Sequence, residues 1–181
     1  MRIDAMFREV AITTMAATGV GILLHALIVR RPGRKTAVGR PRMGLFVGLV
    51  RAGAALVVFG CMLGLGISGL YPRLALDAGP SGYWLMVHVA LGGAFAAALA
   101  VFAVVRALDC GDLPGRWGRE AAFWLMVIAA IPMVLAVLLN MFPVFGTSWQ
   151  ALLVNVHRYS ALACGICGGV WGYLTIRRVK A

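Results

Sequence analysis

Five long apolar runs, at about 10–29, 45–70, 83–107, 121–142 and 150–176, constrain this chain more than any motif does. Each is close to or above the roughly 20 residues a helix needs to cross the hydrocarbon core of a bilayer. Lipid offers no hydrogen bonds to a backbone, so runs of this length close their bonds internally, as helices. The composition agrees, since 62% hydrophobic residues against 13% charged ones leave too little polar surface to cover a soluble globule. The expectation is an all-α polytopic transmembrane bundle of five helices. It forms a single membrane domain over 1–181, with no soluble domain in which to place catalysis.

The first run could be mistaken for a cleavable leader. Val10 to Val29 is too long for one, follows the acids Asp4 and Glu9, and ends in Arg30 and Arg31 instead of small residues. It reads as a retained helix. Gly- and Pro-rich connections at 31–43, 71–82, 111–118 and 143–147 punctuate the runs. The chain carries 17 Lys and Arg against 6 Asp and Glu, but these cations lie between apolar spans, which excludes a nucleic-acid surface.

Their distribution orients the bundle. Arg30, Arg31, Arg34, Lys35, Arg40, Arg42 and Arg51 crowd the first connection, whereas the second sets Arg73 against Asp77 and the fourth has no charge. By the positive-inside rule the first connection is cytoplasmic. Arg106, Arg116, Arg119 and the tail residues Arg177, Arg178 and Lys180 then share that side, with the N-terminus outside and the C-terminus inside. Cys61, Cys164 and Cys167 lie in apolar runs and Cys110 in a loop, which is no disulfide framework. The Cys164/Cys167 spacing lacks the following His of covalent haem attachment and reads as helix packing.

Few polar groups remain inside the spans, and each is costly there. Those left to carry chemistry are His25, His88, His157, Asn140, Arg51 and Arg158. Imidazole is a common haem-iron ligand and binds without charge. Helices three and five run inward from about Gly82 and Trp149, which places His88 about 9 Å and His157 about 12 Å down their helices. His25 lies roughly 22 Å from the outer start of helix one. Matched depth singles out His88 and His157 as the pair able to share one haem.

Small residues follow each: Gly92 and Gly93 after His88, Ala161 and Gly165 after His157. Gly60, Gly64 and Gly69 add a stripe on helix two, which also suits plain small-residue packing. Arg158 and Arg73 are candidate partners for haem propionates, or interfacial anchors. Pro132 marks a kink in helix four, and Asn140 either lines a cavity or caps that helix. For each histidine the plain alternative is an interhelical hydrogen bond.

The segments "LVRAGAALVVFGCMLGLGISGLYP", "GYWLMVHVALGGAF", "FWLMVIAAIPMVLAVLLNMFP" and "ALLVNVHRYSAL" resemble the prokaryotic membrane cytochromes b that serve formate dehydrogenases and nickel-iron hydrogenases. The resemblance is one of pattern, covers about Leu49 to Ile176, and leaves one extra helix in front. It implies one outer haem b held by His88 and His157 in the bacterial inner (cytoplasmic) membrane. It further implies electron relay between the quinone pool and an extracytoplasmic partner, a cytochrome c or an iron-sulfur or dehydrogenase subunit. The chain would be an electron-transfer subunit and not an enzyme alone.

The departures from that pattern are as specific. Arg51 and Ala54 stand where an inner-haem ligand is expected, and Trp171 stands at the other, so the inner haem is absent in this reading. His25 is left first as a satisfied polar side chain at a helix end, and otherwise as a ligand with a non-histidine partner or as a quinone contact with Arg51. Two other classes compete. A haem-free structural anchor would use the histidines only to lock helices, and a transporter would require repeats or midplane acids that the sequence does not offer.

Overall fold

A computed structural model describes residues 2–28, 45–75, 79, 81–108, 117–142 and 146–179. The chain is all-α. Helix α1 spans Arg2–Ile28 and α2 spans Leu45–Leu65; a single π turn, Gly66–Leu70, then leads into a short α3, Tyr71–Ala75. Helices α4 (Gly82–Leu108), α5 (Trp117–Asn140) and α6 (Thr147–Val179) complete the order. Five stretches are long and apolar enough to cross a membrane: Met6–Ile28, Phe46–Ala75, Gly82–Leu108, Trp117–Asn140 and Thr147–Arg177. The protein is a multi-pass membrane protein. The residues that carry most of the orientation argument (Arg30, Arg31, Arg34, Lys35, Arg40, Arg42, Arg116 and Lys180), with Asp77 and Cys110, lie outside the described residues.

The element boundaries differ from the apolar runs in instructive places. Helix α1 begins at Arg2 and not near Val10, and Phe7 shows why. Phe7 is 4% exposed and meets Tyr159 of α6 edge-to-face, ring centroids 5.4 Å apart, so an aromatic contact anchors the polar opening turns. The second run does not end in a loop at Tyr71. The Tyr71 N–H donates to the Gly66 carbonyl, an i→i+5 bond, and the helix restarts through Pro72. Proline is tolerated in a first turn, where its missing N–H has no partner to lose. Arg73 therefore sits on α3 and not in a loop. Helix α6 starts at Thr147, ahead of Trp149.

The chain divides into two compact units, one of α1, α5 and α6, the other of α2, the π turn, α3 and α4. In the first, Ala122, Met126, Ala130, Met133 and Ala136 recur at helical spacing as the buried stripe of α5. Alanines there let α5 and α6 approach closely, the packing that membrane helices use in place of a hydrophobic drive. Phe123 is fully buried and packs on Trp171, centroids 5.7 Å apart, so Trp171 is an aromatic core residue of this unit. Helix α5 continues through Pro132 without interruption. Cys164 is buried and Cys167 half-buried, both with free thiols inside the α6 span.

In the second unit, α2 and α4 meet along a seam where Leu91 covers Gly64 and His88 covers Gly69. A Cβ on Gly64 would lie 2.7 Å from Leu91 Cδ1. Exposed side chains such as Phe46, Leu56, Leu63, Met86, Leu108 and Ile128 form the apolar surface that lipid covers.

Candidate functional site

The sequence placed three histidines inside the spans, and each has partners that can be named. His88 lies on α4, which opens at Gly82 with the left-handed φ of 54° that glycine adopts without strain. At 1.5 Å per residue, its depth from Gly82 is about 9 Å, as expected from the sequence. Its Nδ1 is 2.9 Å from the Ser68 Oγ, and Ser68 is 1% exposed. The Ser68 hydroxyl donates to the Gly64 carbonyl at 2.7 Å. A serine hydroxyl has one proton to give, so toward His88 it accepts. In a neutral imidazole this arrangement puts the proton on Nδ1 and leaves the lone pair on Nε2.

His157, on α6, reaches the same protonation pattern by a different partner. Its Nδ1 is 3.1 Å from the Met133 carbonyl of α5. A carbonyl only accepts, so Nδ1 donates, and in a neutral ring this again leaves the lone pair on Nε2. With α6 starting at Thr147, His157 is about 15 Å from its helix start, deeper than the Trp149 start implied. A groove of about 230 Å³ opens beside it, lined by Ala136, Val137, Asn140, Leu153 and Val154 among others. Asn140 is the last residue of α5 and lines this groove. Helix α5 closes there with Met141 N–H donating to the Val137 and Leu138 carbonyls at 3.1 and 3.2 Å.

His25 is the counter-example. Its Nδ1 lies 2.8 Å from Arg177 Nη1 and 3.0 Å from the Tyr173 hydroxyl. Arg177 Nη1 also lies 2.9 Å from the His25 carbonyl and 2.8 Å from the Tyr173 hydroxyl, so its two N–H groups are shared among three acceptors. A guanidinium has no acceptor and stays charged, so His25 Nδ1 must accept. Its proton is on Nε2, opposite to the other two. The His25 and Tyr173 rings meet edge-on, centroids 5.7 Å apart, and the Arg177 guanidinium carbon is 6.0 Å from the Tyr173 ring centre.

The structure thus gives His25 the companions Tyr173 and Arg177 of α6; Arg51, suggested by the sequence, stands half-buried on α2 of the other unit. Arg158 follows His157 on α6 and is half-buried, as is Arg73 on α3. No heavy atom lies within 4 Å of a Cβ built on Gly92, Gly93 or Gly165, among the described residues, so the space next to both histidine-bearing helices is open there. Among the described residues no three or more His, Cys, Asp or Glu side chains converge on a closed metal centre.

Sequence reasoning did not find Ser68, the Met133 carbonyl or the Tyr173 and Arg177 pair. A backbone carbonyl leaves no mark in a sequence. Ser68 left one, as the single hydroxyl within the glycine-rich stretch from Gly64 to Gly69. Tyr173 and Arg177 are spaced i, i+4 and so share one face of α6.

No family model matches this chain, and no curated protein or solved structure is significantly similar to it.

Proposed function

We propose that the chain is a haem b membrane subunit that relays electrons between the quinone pool and an extracytoplasmic redox partner, with His88 and His157 as the two axial ligands. The observation that carries the reading is that each Nδ1 faces an oxygen, Ser68 Oγ at 2.9 Å and the Met133 carbonyl at 3.1 Å. A hydrogen bond from Nδ1–H to that oxygen leaves the lone pair of a neutral ring on Nε2. Metal-ligating histidines commonly hold their other nitrogen in this way, which fixes the ring and raises its basicity.

When bound, haem b supplies a one-electron iron couple; the chain supplies ligation, burial and charge. Arg158 and Arg73 are the cations available to the propionates, as charge-assisted donors. On α4 the space beside Gly92 and Gly93 is open, as is that beside Gly165 on α6. By the positive-inside rule the charge distribution supports an N-terminus outside a bacterial cytoplasmic membrane and a tail inside. It would set both ligands nearer the outer face, toward a cytochrome c or an iron-sulfur or dehydrogenase subunit. His25 stays outside this assignment.

A second reading draws on the same bonds. A haem-free structural anchor of a larger complex would also satisfy its histidines with Ser68 and the Met133 carbonyl, as interhelical hydrogen bonds. A reduced-minus-oxidised absorbance spectrum of the purified chain separates the two. A b-type spectrum supports the electron carrier, and its absence after haem reconstitution supports the anchor.

A further inference from the structure

We infer that the π turn Gly66–Leu70 is a positioning device that sets the tautomer and ring placement of His88 through Ser68. This deepens the proposed haem reading and rests on it only for the identity of the metal group. Single π turns inside α-helices recur at functional sites, and each extra residue rotates everything beyond it by about 100° relative to an uninterrupted helix. Here the turn carries two residues that meet His88 at once. Ser68 accepts the imidazole Nδ1 proton while back-bonding to Gly64, a bond that bends helices locally. Gly69 leaves the ring its place: a Cβ there would sit 2.5 Å from His88 Cε1, closer than such atoms approach, and 3.1 Å from Nδ1.

The chain of donors runs one way. His88 Nδ1–H gives to Ser68 Oγ, and Ser68 Oγ–H gives to the Gly64 carbonyl. Reversing the imidazole tautomer would set two acceptors against each other or detach the serine from Gly64. Ser68 is buried, so water does not readily take over the lost bond. Ser68 is thus a positioning residue that prepares Nε2 as an electron-pair donor before any metal arrives.

The test uses the full chain in lipid nanodiscs, prepared without haem and labelled with ¹⁵N-histidine. Imidazole shifts then report the His88 tautomer directly, with resonances assigned from His25→Asn and His157→Asn chains. The wild type is expected to show His88 protonated at Nδ1. Ser68→Ala should move its tautomer ratio by on the order of tenfold, the scale of one lost hydrogen bond, and Ser68→Thr should restore it. Gly69→Ala should disturb the same signal with the hydroxyl still present.

A wild-type His88 protonated at Nε2, or a ratio indifferent to Ser68→Ala, would overturn the inference. Haem titration of the same samples keeps the two proposals apart. A Ser68-dependent tautomer in a chain that takes up no haem leaves the positioning role standing and removes the haem reading. Haem uptake with a tautomer indifferent to Ser68 does the reverse.

Discussion

His25 and the pair His88 and His157 are the same side chain in the same solvent, yet their protons are on opposite nitrogens. His25 faces a guanidinium, which can only donate, so its Nδ1 is an acceptor. His88 and His157 face a hydroxyl oxygen and a carbonyl, so their Nδ1 atoms donate. The lesson is that the partner atom, and not the histidine, decides which nitrogen holds a lone pair. Two of the three rings are prepared to give an electron pair from Nε2, and the third is prepared to donate a proton there. Proximity to a helix end would not have made that distinction.

The comparison is broken most severely at the ligands. His88→Ala or His157→Ala should each abolish the low-spin haem signal in electron paramagnetic resonance. His25→Ala should leave that signal intact. Equal loss in all three variants would erase the difference between the two classes of histidine.

The next effect is steric. Leu153→Trp would narrow the groove of about 230 Å³ beside His157 and should lower haem occupancy several-fold, with the helix content unchanged by circular dichroism. A smaller change belongs to the His25 cluster. Arg177→Met removes the donor to both His25 Nδ1 and its carbonyl, and should destabilise the α1 attachment by about 1–3 kcal/mol. A shift of the unfolding midpoint in mixed micelles measures it, with haem content unaffected. The smallest is Tyr173→Phe, which keeps the edge-on ring contact and loses only a hydroxyl, about 1 kcal/mol. A Tyr173→Phe loss as large as that of Arg177→Met would mean that the hydroxyl, and not the guanidinium, governs His25.

The architecture was legible in the sequence because membrane crossing is decided by run length and composition, which no tertiary contact needs to supply. The ends of the helices were not. Phe7 secures eight residues of α1 that hydropathy alone would discard, through a contact with Tyr159 far along the chain. The π turn hid inside one apolar run, since its five residues Gly66–Leu70 differ from their neighbours in hydrogen-bond register and not in polarity.

Within the site, the residue types were readable and their states were not. Histidines stand out in an apolar chain, whereas the atom across from each ring depends on packing between α5 and α6 or between α4 and the π turn. Arg51 entered the sequence reading beside His25 as a shared quinone contact, because both fall near the inner ends of their runs. The actual neighbour, Arg177, was counted only as a tail charge, since its reach back to α1 follows from how α6 lies against that helix.

Haem content per chain, measured on protein purified from cells supplied with haem precursor, bears on the central claim most directly. The account predicts one b-type haem per wild-type chain and none in the His88→Ala, His157→Ala double variant. A wild-type chain without haem, or a double variant that keeps a full complement, would contradict it.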